Sequence, residues 1–349
     1  MSIIVETTPP TSSCTAPAYE NHPPITVNWS AADTETGVWF TYLYVNGPGD
    51  AAFAYTGLYS AGTGGTFDYT PSAGNGLYQF AVRSVDNGGN WEAVPTVAED
   101  ETFYDTVTPS SSLSSPPYDA GGSISIDYSA SDPAPSSGIA WVDFWYKYGA
   151  TGVWTYTGQF SSSPTGTVSF TPVTGDGVYY FASRAKDNAQ NLESYPPDRD
   201  DSTIYDTIAP IGSISINGGA ASTASLIVTL NLNAGDATSG VSLMQFSNDN
   251  STWSPWEAYQ STRNGWDLSS YGGSSAPGTK SAFVRFRDYA GHVSSSYSDT
   301  IVYAVSAPCE NDFDADRDVD GRDLAKFAGS FDAGLMVSFA ADFGRVDCP

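Results

Sequence analysis

The chain has 349 residues, room for two or three domains, and carries 39 acidic side chains against 13 basic ones for a formal net charge of −26. Such a field repels phosphate backbones and anionic lipid surfaces, so nucleic acid binding and membrane-surface binding are excluded as expectations, and cations become the natural counterpart. Hydrophobic residues make up 40% and aromatic residues 14%, with many Gly, Pro, Ser and Thr, which fits short strands joined by turns and not disorder.

No run of about eighteen apolar residues is present, so no membrane insertion is expected. Residues 1–6 lack the basic and apolar regions of a signal peptide. The first repeat unit starts almost at once: Glu6-Thr7-Thr8-Pro9-Pro10 lies where Asp105-Thr106-Val107-Thr108-Pro109 opens the second. That is what a piece cut from a longer protein at a domain boundary would show, or a mature form whose leader is gone.

Residues 10–33 align without a gap against 109–132. Cys14 then sits opposite Leu113, with Ile214 at the matching place further on, and reads as a small buried hydrophobe on a first strand. His22 falls in a Pro- and Gly-rich loop and is assigned no role. Residues 25–29 and 124–128 alternate apolar with polar, the pattern of a half-buried strand. Asp33 followed by Thr36-Gly37-Val38, and Asp132 followed by Ser137-Gly138-Ile139, form a shared signature. The next strand places Val142, Phe144, Tyr146 and Tyr148 on one face and Trp141, Asp143, Trp145 and Lys147 on the other. Hairpin segments 53–56 and 66–71 recur as 154–157 and 167–172, and Gly74-Asn75-Gly76 and Gly175-Asp176-Gly177 mark the turn that follows.

A strand ending in a tight turn is then written three times. Arg83, Arg184 and Arg285 are spaced 101 residues apart, and so are Asp86, Asp187 and Asp288. A repeat that strict means three copies of one domain. About seven short strands per copy, with no helical period, predict a mostly β fold of sandwiches. The third copy diverges at 247–259, and with 283–293 and 298–301 it resembles the immunoglobulin-like or fibronectin-III-like repeats of large secreted bacterial proteins. The resemblance spans roughly residues 6–304 and implies an extracellular or cell-surface location, with spacer or adhesive roles. His292 stands where Asn90 and Asn191 stand and reads as a turn substitution, not a ligand. Phe103-Tyr104-Asp105-Thr106 and Ile204-Tyr205-Asp206-Thr207 join the copies without a flexible spacer, so a stiff tandem rod is expected.

From Cys309 the pattern changes. Asp312, Asp314, Asp316, Asp318, Asp320 and Asp323 occupy positions 1, 3, 5, 7, 9 and 12 of one short loop, with Val319 at position 8. This is the oxygen-ligand spacing that a Ca2+ ion with six to eight ligands needs, Asp318 giving its backbone carbonyl and Asp320 acting through water. Position 6 is Arg317 in place of the usual Gly, and position 12 is Asp in place of Glu. Behind the loop, Leu324, Phe327, Ala328 and Phe331, then Met336, Phe339, Ala340 and Phe343, have the spacing of two short amphipathic helices. The loop with Leu after its twelfth position, and with no helix leading into it, resembles a dockerin, which implies calcium-dependent docking on a cohesin-type protein partner. A dockerin carries two such loops, whereas nothing between residues 332 and 341 offers a second ligand set. Cys309 and Cys348 bracket the module; a disulfide between them would close about forty residues, add ~4 kcal/mol on the chain-entropy estimate, and demand an oxidising compartment.

The expected division is three immunoglobulin-like β-sandwiches at 1-105, 106-206 and 207-305, and a small α-helical calcium-loop module at 306-349. With two histidines, both in loops or turns, a Ser-His-Asp or Cys-His site has no base, and no enzyme is expected. Trp141, Trp145, Trp154, Trp253 and Trp256 could stack on a polysaccharide, though about half of such rings are expected to fill sandwich cores. The preferred reading is a non-catalytic structural or adhesive protein whose terminal module binds a protein partner or another copy, building a surface fibre. The alternative is a carbohydrate-binding or scaffold-docking accessory segment of a larger secreted enzyme. A further expectation is that Asp33, Asp86 and Asp105, and likewise Asp132, Asp187 and Asp206, meet near the domain junctions and hold calcium, against the simpler role of Asp86 and Asp187 as turn acceptors.

Overall fold

Ile25, Val27, Trp29 and Ala31 are buried and the residues between them exposed, so the alternation read in the sequence is realised residue by residue. The structure is a computed structural model that describes residues 6–195, 199–305 and 319–329, with Met336, Phe339, Ala340, Phe343 and Gly344. Two units divide the chain, one ending at Tyr205 and the other beginning at Asp206.

In the first unit, one sandwich comprises β1 (Thr11–Thr15), β2 (Tyr19–Glu20), β3 (Ile25–Ala32), β4 (Val38–Asn46), β5 (Ala54–Ala61), β6 (Gly64–Tyr69), β7 (Gly76–Asp86) and β8 (Asp100–Tyr104). A three-stranded sheet ordered β1-β3-β6 faces a five-stranded sheet ordered β2-β8-β7-β4-β5. The second sandwich repeats this with β9 (Ser110–Ser114), β10 (Tyr118–Asp119), β11 (Ile124–Ser131), β12 (Ile139–Tyr148), β13 (Thr155–Ser161), β14 (Thr165–Phe170), β15 (Gly177–Asp187) and β16 (Asp201–Tyr205). Its sheets run β14-β11-β9 and β10-β16-β15-β12-β13.

The second unit holds the third sandwich: β17 (Ile211–Ile216), β18 (Ser222–Thr223), β19 (Ile227–Gly235), β20 (Val241–Ser247), β21 (Glu257–Ala258), β22 (Thr262–Asp267), β23 (Gly278–Asp288) and β24 (Tyr297–Tyr303). Its sheets, β17-β19-β22 and β18-β24-β23-β20-β21, have the same order. Each sandwich therefore has eight strands. The eighth is the two-residue β2, β10 or β18, which pairs in parallel with the last strand. Bonds beside these pairs extend them: Phe103 N–H to Ala18 O and Asp105 N–H to Glu20 O, both 2.9 Å, Ile204 N–H to Pro117 O at 3.0 Å, and Ala304 N–H to Thr223 O at 3.0 Å.

The cores lie between the sheets. Val27, Leu43, Tyr78 and Phe80 centre the first, Ile124, Val142, Tyr179 and Phe181 the second, Leu230, Met244, Phe246 and Phe286 the third. Side chains of this size contribute roughly 1.5–3 kcal/mol each on burial. Cys14, opposite Trp29 on β3, belongs to the first core, and burial followed by Glu99 pushes its thiol well above the ordinary range.

The long central strand of each sandwich starts at Gly76, Gly177 or Gly278, with φ of 140°, 145° and 129°. A Cβ would meet Tyr148 Oη at 2.6 Å on Gly177 and Pro48 Cγ at 2.7 Å on Gly76 but open space on Gly278, so what calls for glycine in all three copies is the positive φ. Two residues further on, Tyr78 Oη donates to Gly74 O at 2.8 Å and Tyr179 Oη to Gly175 O at 3.0 Å, pinning the turn to the core. Lys280 stands at this place in the third sandwich and its Nζ bonds Ser274 O.

The tryptophans correct one expectation. Trp141, Trp145, Trp154, Trp253 and Trp256 are all half-buried, none of them in a core; the core tryptophans are Trp29 and Trp266. They stack on cations of the five-stranded sheet's outer face. Arg184 lies 5.2 Å from the Trp145 ring and 5.9 Å from Trp141, Lys147 5.0 Å from Trp154, and Arg285 4.3 Å from Trp253 and 5.4 Å from Trp256. The three evenly spaced arginines share one register, opposite Tyr42, Asp143 and Gln245. A sheet with one face in the core and one in water must hold its outward rings by such contacts, because the pleat sends alternate residues away from the core.

Beyond the third sandwich, helix α1 (Gly321–Gly329) is the one helix among the described elements. Phe327 stacks on Phe339 at 4.7 Å and 10°, and with Val319 they form a small core. Leu324, Met336 and Phe343 are exposed, so only part of each apolar stripe is covered; Phe331 lies outside the described residues.

Candidate metal centres

Of the six aspartates expected to ligate calcium in the C-terminal loop, Asp320 and Asp323 are described; Asp312, Asp314, Asp316 and Asp318 lie outside the described residues, as do Cys309 and Cys348. Asp320 caps α1: its Oδ1 accepts Arg322 N–H at 2.6 Å and its backbone oxygen accepts Leu324 N–H at 3.1 Å. Asp323, fully buried, reaches back so that its Oδ2 accepts Asp320 N–H at 2.9 Å. The two carboxylates thus form a reciprocal cap on the helix start, an arrangement favoured also by the positive end of the helix. A carboxylate offers about four lone-pair sites, so capping and cation ligation are compatible at these residues. Gly344 N–H donates to Val319 O at 2.6 Å, tying the loop's end to the far end of the module.

A second set of carboxylates is gathered in the sandwiches themselves. Three trios each bring one oxygen per residue within 4.8 Å of the others: Glu6, Asp33 and Asp86; Asp105, Asp132 and Asp187; Asp206, Asp236 and Asp288. This corrects the expected partition. Asp105 does not join Asp33 and Asp86; it opens the following sandwich, and Asp206 does not join Asp132 and Asp187 but opens the third. The reason is topological. The residue just before each first strand lies under the turn that ends the long central strand, so Glu6 holds in the first sandwich the place Asp105 and Asp206 hold in the others. The alignment of Glu6 with Asp105 carried that signal, and Asp236 could have been found from Ser239-Gly240-Val241, which follows it at the spacing at which Thr36-Gly37-Val38 follows Asp33.

The trios are built alike. The middle residue binds the turn at a glycine with φ of 81° in all three sandwiches: Gly37 N–H to Asp33 Oδ1 at 2.6 Å, Gly138 N–H to Asp132 Oδ2 at 2.8 Å, Gly240 N–H to Asp236 Oδ1 at 2.8 Å. The last residue accepts a backbone N–H four positions on: Asn90 to Asp86 Oδ1 at 2.7 Å, Asn191 to Asp187 Oδ1 at 2.8 Å, His292 to Asp288 Oδ1 at 2.9 Å. Asp86 and Asp187 are therefore turn acceptors as well as members of a trio. Asp105 further links two sandwiches, since its Oδ1 accepts from Asn75 Nδ2 at 3.0 Å and its Oδ2 from Ser137 N–H at 2.8 Å.

Electrostatics differ among them. Burial, with the charge of Asp105 adding to it, pushes the Asp132 and Asp187 carboxyls up. At Asp86 burial is outweighed by the bonds from Asn90, which hold the carboxyl down to about 2.

No family model matches the chain, and no curated protein matches it. Among solved structures, it is similar to a 1.5-MDa bacterial ice-binding adhesin at 13% identity and TM-score 0.36, covering 86% of this chain and 99% of that one. A tetra-tandem repeat in the extending region of a large adhesion protein is similar at 13% identity and TM-score 0.30, covering 85% and 75%. The fibronectin(III)-like modules of Clostridium thermocellum CbhA are similar at 15% identity and TM-score 0.34, covering 56% and 95%. None of these likenesses carries an argument about what this chain does.

Proposed function

We propose that the chain is a non-catalytic structural and adhesive protein of the cell exterior, a tandem array of immunoglobulin-like sandwiches ending in a calcium-dependent, dockerin-like module that engages a protein partner or a second copy. The observation that carries this reading is what the strictly spaced residues do. Arg83, Arg184 and Arg285 stack on outward aromatic rings, and Asp86, Asp187 and Asp288 fasten the turn after the central strand. Residues kept in three copies for structural tasks describe a spacer, whereas a catalytic unit would break the pattern. The module adds exposed Leu324, Met336 and Phe343, apolar side chains suited to docking. If the tail of one molecule engages the first sandwich of the next, the contact is heterologous and propagates into a fibre.

The second reading, a carbohydrate-binding accessory segment of a larger secreted enzyme, is favoured by one place. Trp141, Asp143, Tyr156 and Phe160 line a shallow depression on the outer face of the second sandwich, with Phe160 exposed.

Light scattering of the full chain with calcium and after chelation, beside binding to insoluble polysaccharides, tests the proposal. Calcium-dependent growth that disappears in Asp323→Ala is the expected result. A monomer in both conditions that binds polysaccharide through Trp141 would replace it with the second reading.

A further inference from the structure

The three trios share their carboxylates but not their amides. In the second sandwich Asn191 Nδ2 donates to Asp187 Oδ2 at 2.7 Å and to Asp105 O at 2.8 Å. In the first, Asn90 Nδ2 donates to Asp86 Oδ2 at 2.9 Å. The third sandwich has His292 there, and its Nε2 lies 2.9 Å from Asp206 O, which can only accept, so the ring spends that N–H on the carbonyl. Asp288 Oδ2 meets no donor, although the residue is 2% exposed. A second buried oxygen beside it is equally without a partner: Ser239 Oγ, on the residue whose N–H donates to both Asp206 Oδ2 at 3.1 Å and Asp236 Oδ1 at 2.8 Å. A buried polar atom left unpaired costs about 1–3 kcal/mol, and more when charged, so two of them at one trio call for a partner.

We propose that Asp206, Asp236 and Asp288 hold a calcium ion at the start of the third sandwich. The donors are all oxygen, which selects a hard cation over zinc or copper. Their three carboxylate oxygens lie within 4.8 Å of one another and are fixed by backbone N–H groups in an irregular loop cluster, which suits the flexible geometry of calcium better than the near-ideal octahedron magnesium requires. Burial pushes the Asp288 carboxyl up, and Asp206 adds to the push, the repulsion that a bound divalent cation would remove. The site is separate from the C-terminal loop and does not depend on the docking function: the loop could be inert and this ion still bind.

The test is calcium stoichiometry of the full chain by equilibrium dialysis, with thermal unfolding in calcium and in chelator. Asp236→Asn and Asp288→Asn keep an oxygen at the same place for the turn N–H groups. Each is expected to bind one ion fewer than the parent, and the loss should add to that of Asp323→Ala, which reports on the loop. In chelator Asp288→Asn should unfold at the same temperature as the parent or above it; in calcium the parent should gain stability and the variant fall behind it. A purely structural aspartate would not reverse its sign in this way. Unchanged stoichiometry in both variants, or a parent whose third sandwich gains nothing from calcium, overturns the proposal and leaves a shared proton on the trio. A loss confined to Asp323→Ala has the same meaning while upholding the loop.

Discussion

Asn191 donates one amide hydrogen to Asp187 Oδ2 and another bond to the backbone oxygen of Asp105, at 2.7 and 2.8 Å, so a single buried side chain ties the first residue of the second sandwich to the last residue of its central strand. Asn191→Ala removes both bonds and strands two buried acceptors. We expect it to cost about 2 kcal/mol, read from the urea midpoint of unfolding. The reciprocal change, His292→Asn, should raise the stability of the third sandwich in chelator by about 1 kcal/mol, because it supplies the amide that Asp288 lacks.

Arg184 and Asp143 form a forked ion pair on the outer face, with contacts of 2.6 and 3.3 Å, and Trp145 Nε1 donates to the same carboxylate at 2.8 Å. Asp143 is nearly buried, so Arg184→Met leaves a charge without its counterion and should cost about 3 kcal/mol. Replacing both, as Arg184→Met with Asp143→Leu, should recover most of that loss. A double-mutant cycle in urea measures the coupling.

Two carboxylates should pull the pH dependence in opposite directions. Four bonds, led by the N–H groups of Thr252 and Ser251, hold Asp249 well below the usual carboxylate range. Its contribution is present above the ordinary aspartate value of about 3.9 and is lost as pH falls through its depressed one. Burial pushes Glu99 up, so its contribution is full below the ordinary glutamate value of about 4.3 and is lost as pH rises through its raised one. Accordingly, Asp249→Asn should lessen the loss of stability in acid. Glu99→Gln should stabilise the first sandwich at neutral pH, with an advantage that fades toward pH 4. Denaturation midpoints across pH check both.

Cys14 lies inside the first core and its thiol is pushed up by burial, so it should resist a thiol reagent in the native protein. Labelling should become complete only in denaturant. Reaction of Cys14 in the folded chain within minutes would mean that β1 opens readily.

Much of the fold was legible because the signals were long. Residues 25–29 alternate apolar with polar and the strand carries that alternation of burial on to Ala32, and a spacing of 101 residues repeated twice leaves little freedom in dividing the chain. What escaped was short or tertiary. The strands β2, β10 and β18 have two residues each and no periodicity to read. Alternation alone sets Trp141 and Trp145 beside Asp143 and Lys147, away from Val142 and Phe144, whereas Trp154, Trp253 and Trp256 lie outside the strands, where no period says which way a ring faces. The carboxylate trios were half legible. Their residues could be named from repetition, but chain neighbourhood grouped Asp105 with the strand it follows, whereas its hydrogen bond to Ser137 shows that it also serves the sandwich it precedes.

The short parallel pairs have a mechanical meaning. Within the first sandwich β2 lies near the incoming end of the chain and β8 at the outgoing end, and the two run side by side in the same direction. A pull on the two ends therefore drags these strands past one another along their length, so that Phe103–Ala18 and Asp105–Glu20 are loaded together and not peeled apart in turn. The second and third sandwiches repeat the arrangement with Ile204–Pro117 and Ala304–Thr223. Resistance to tension is governed by the rate of unfolding and not by equilibrium stability. Two residues of strand in each sandwich are thus placed to act as its shear latch.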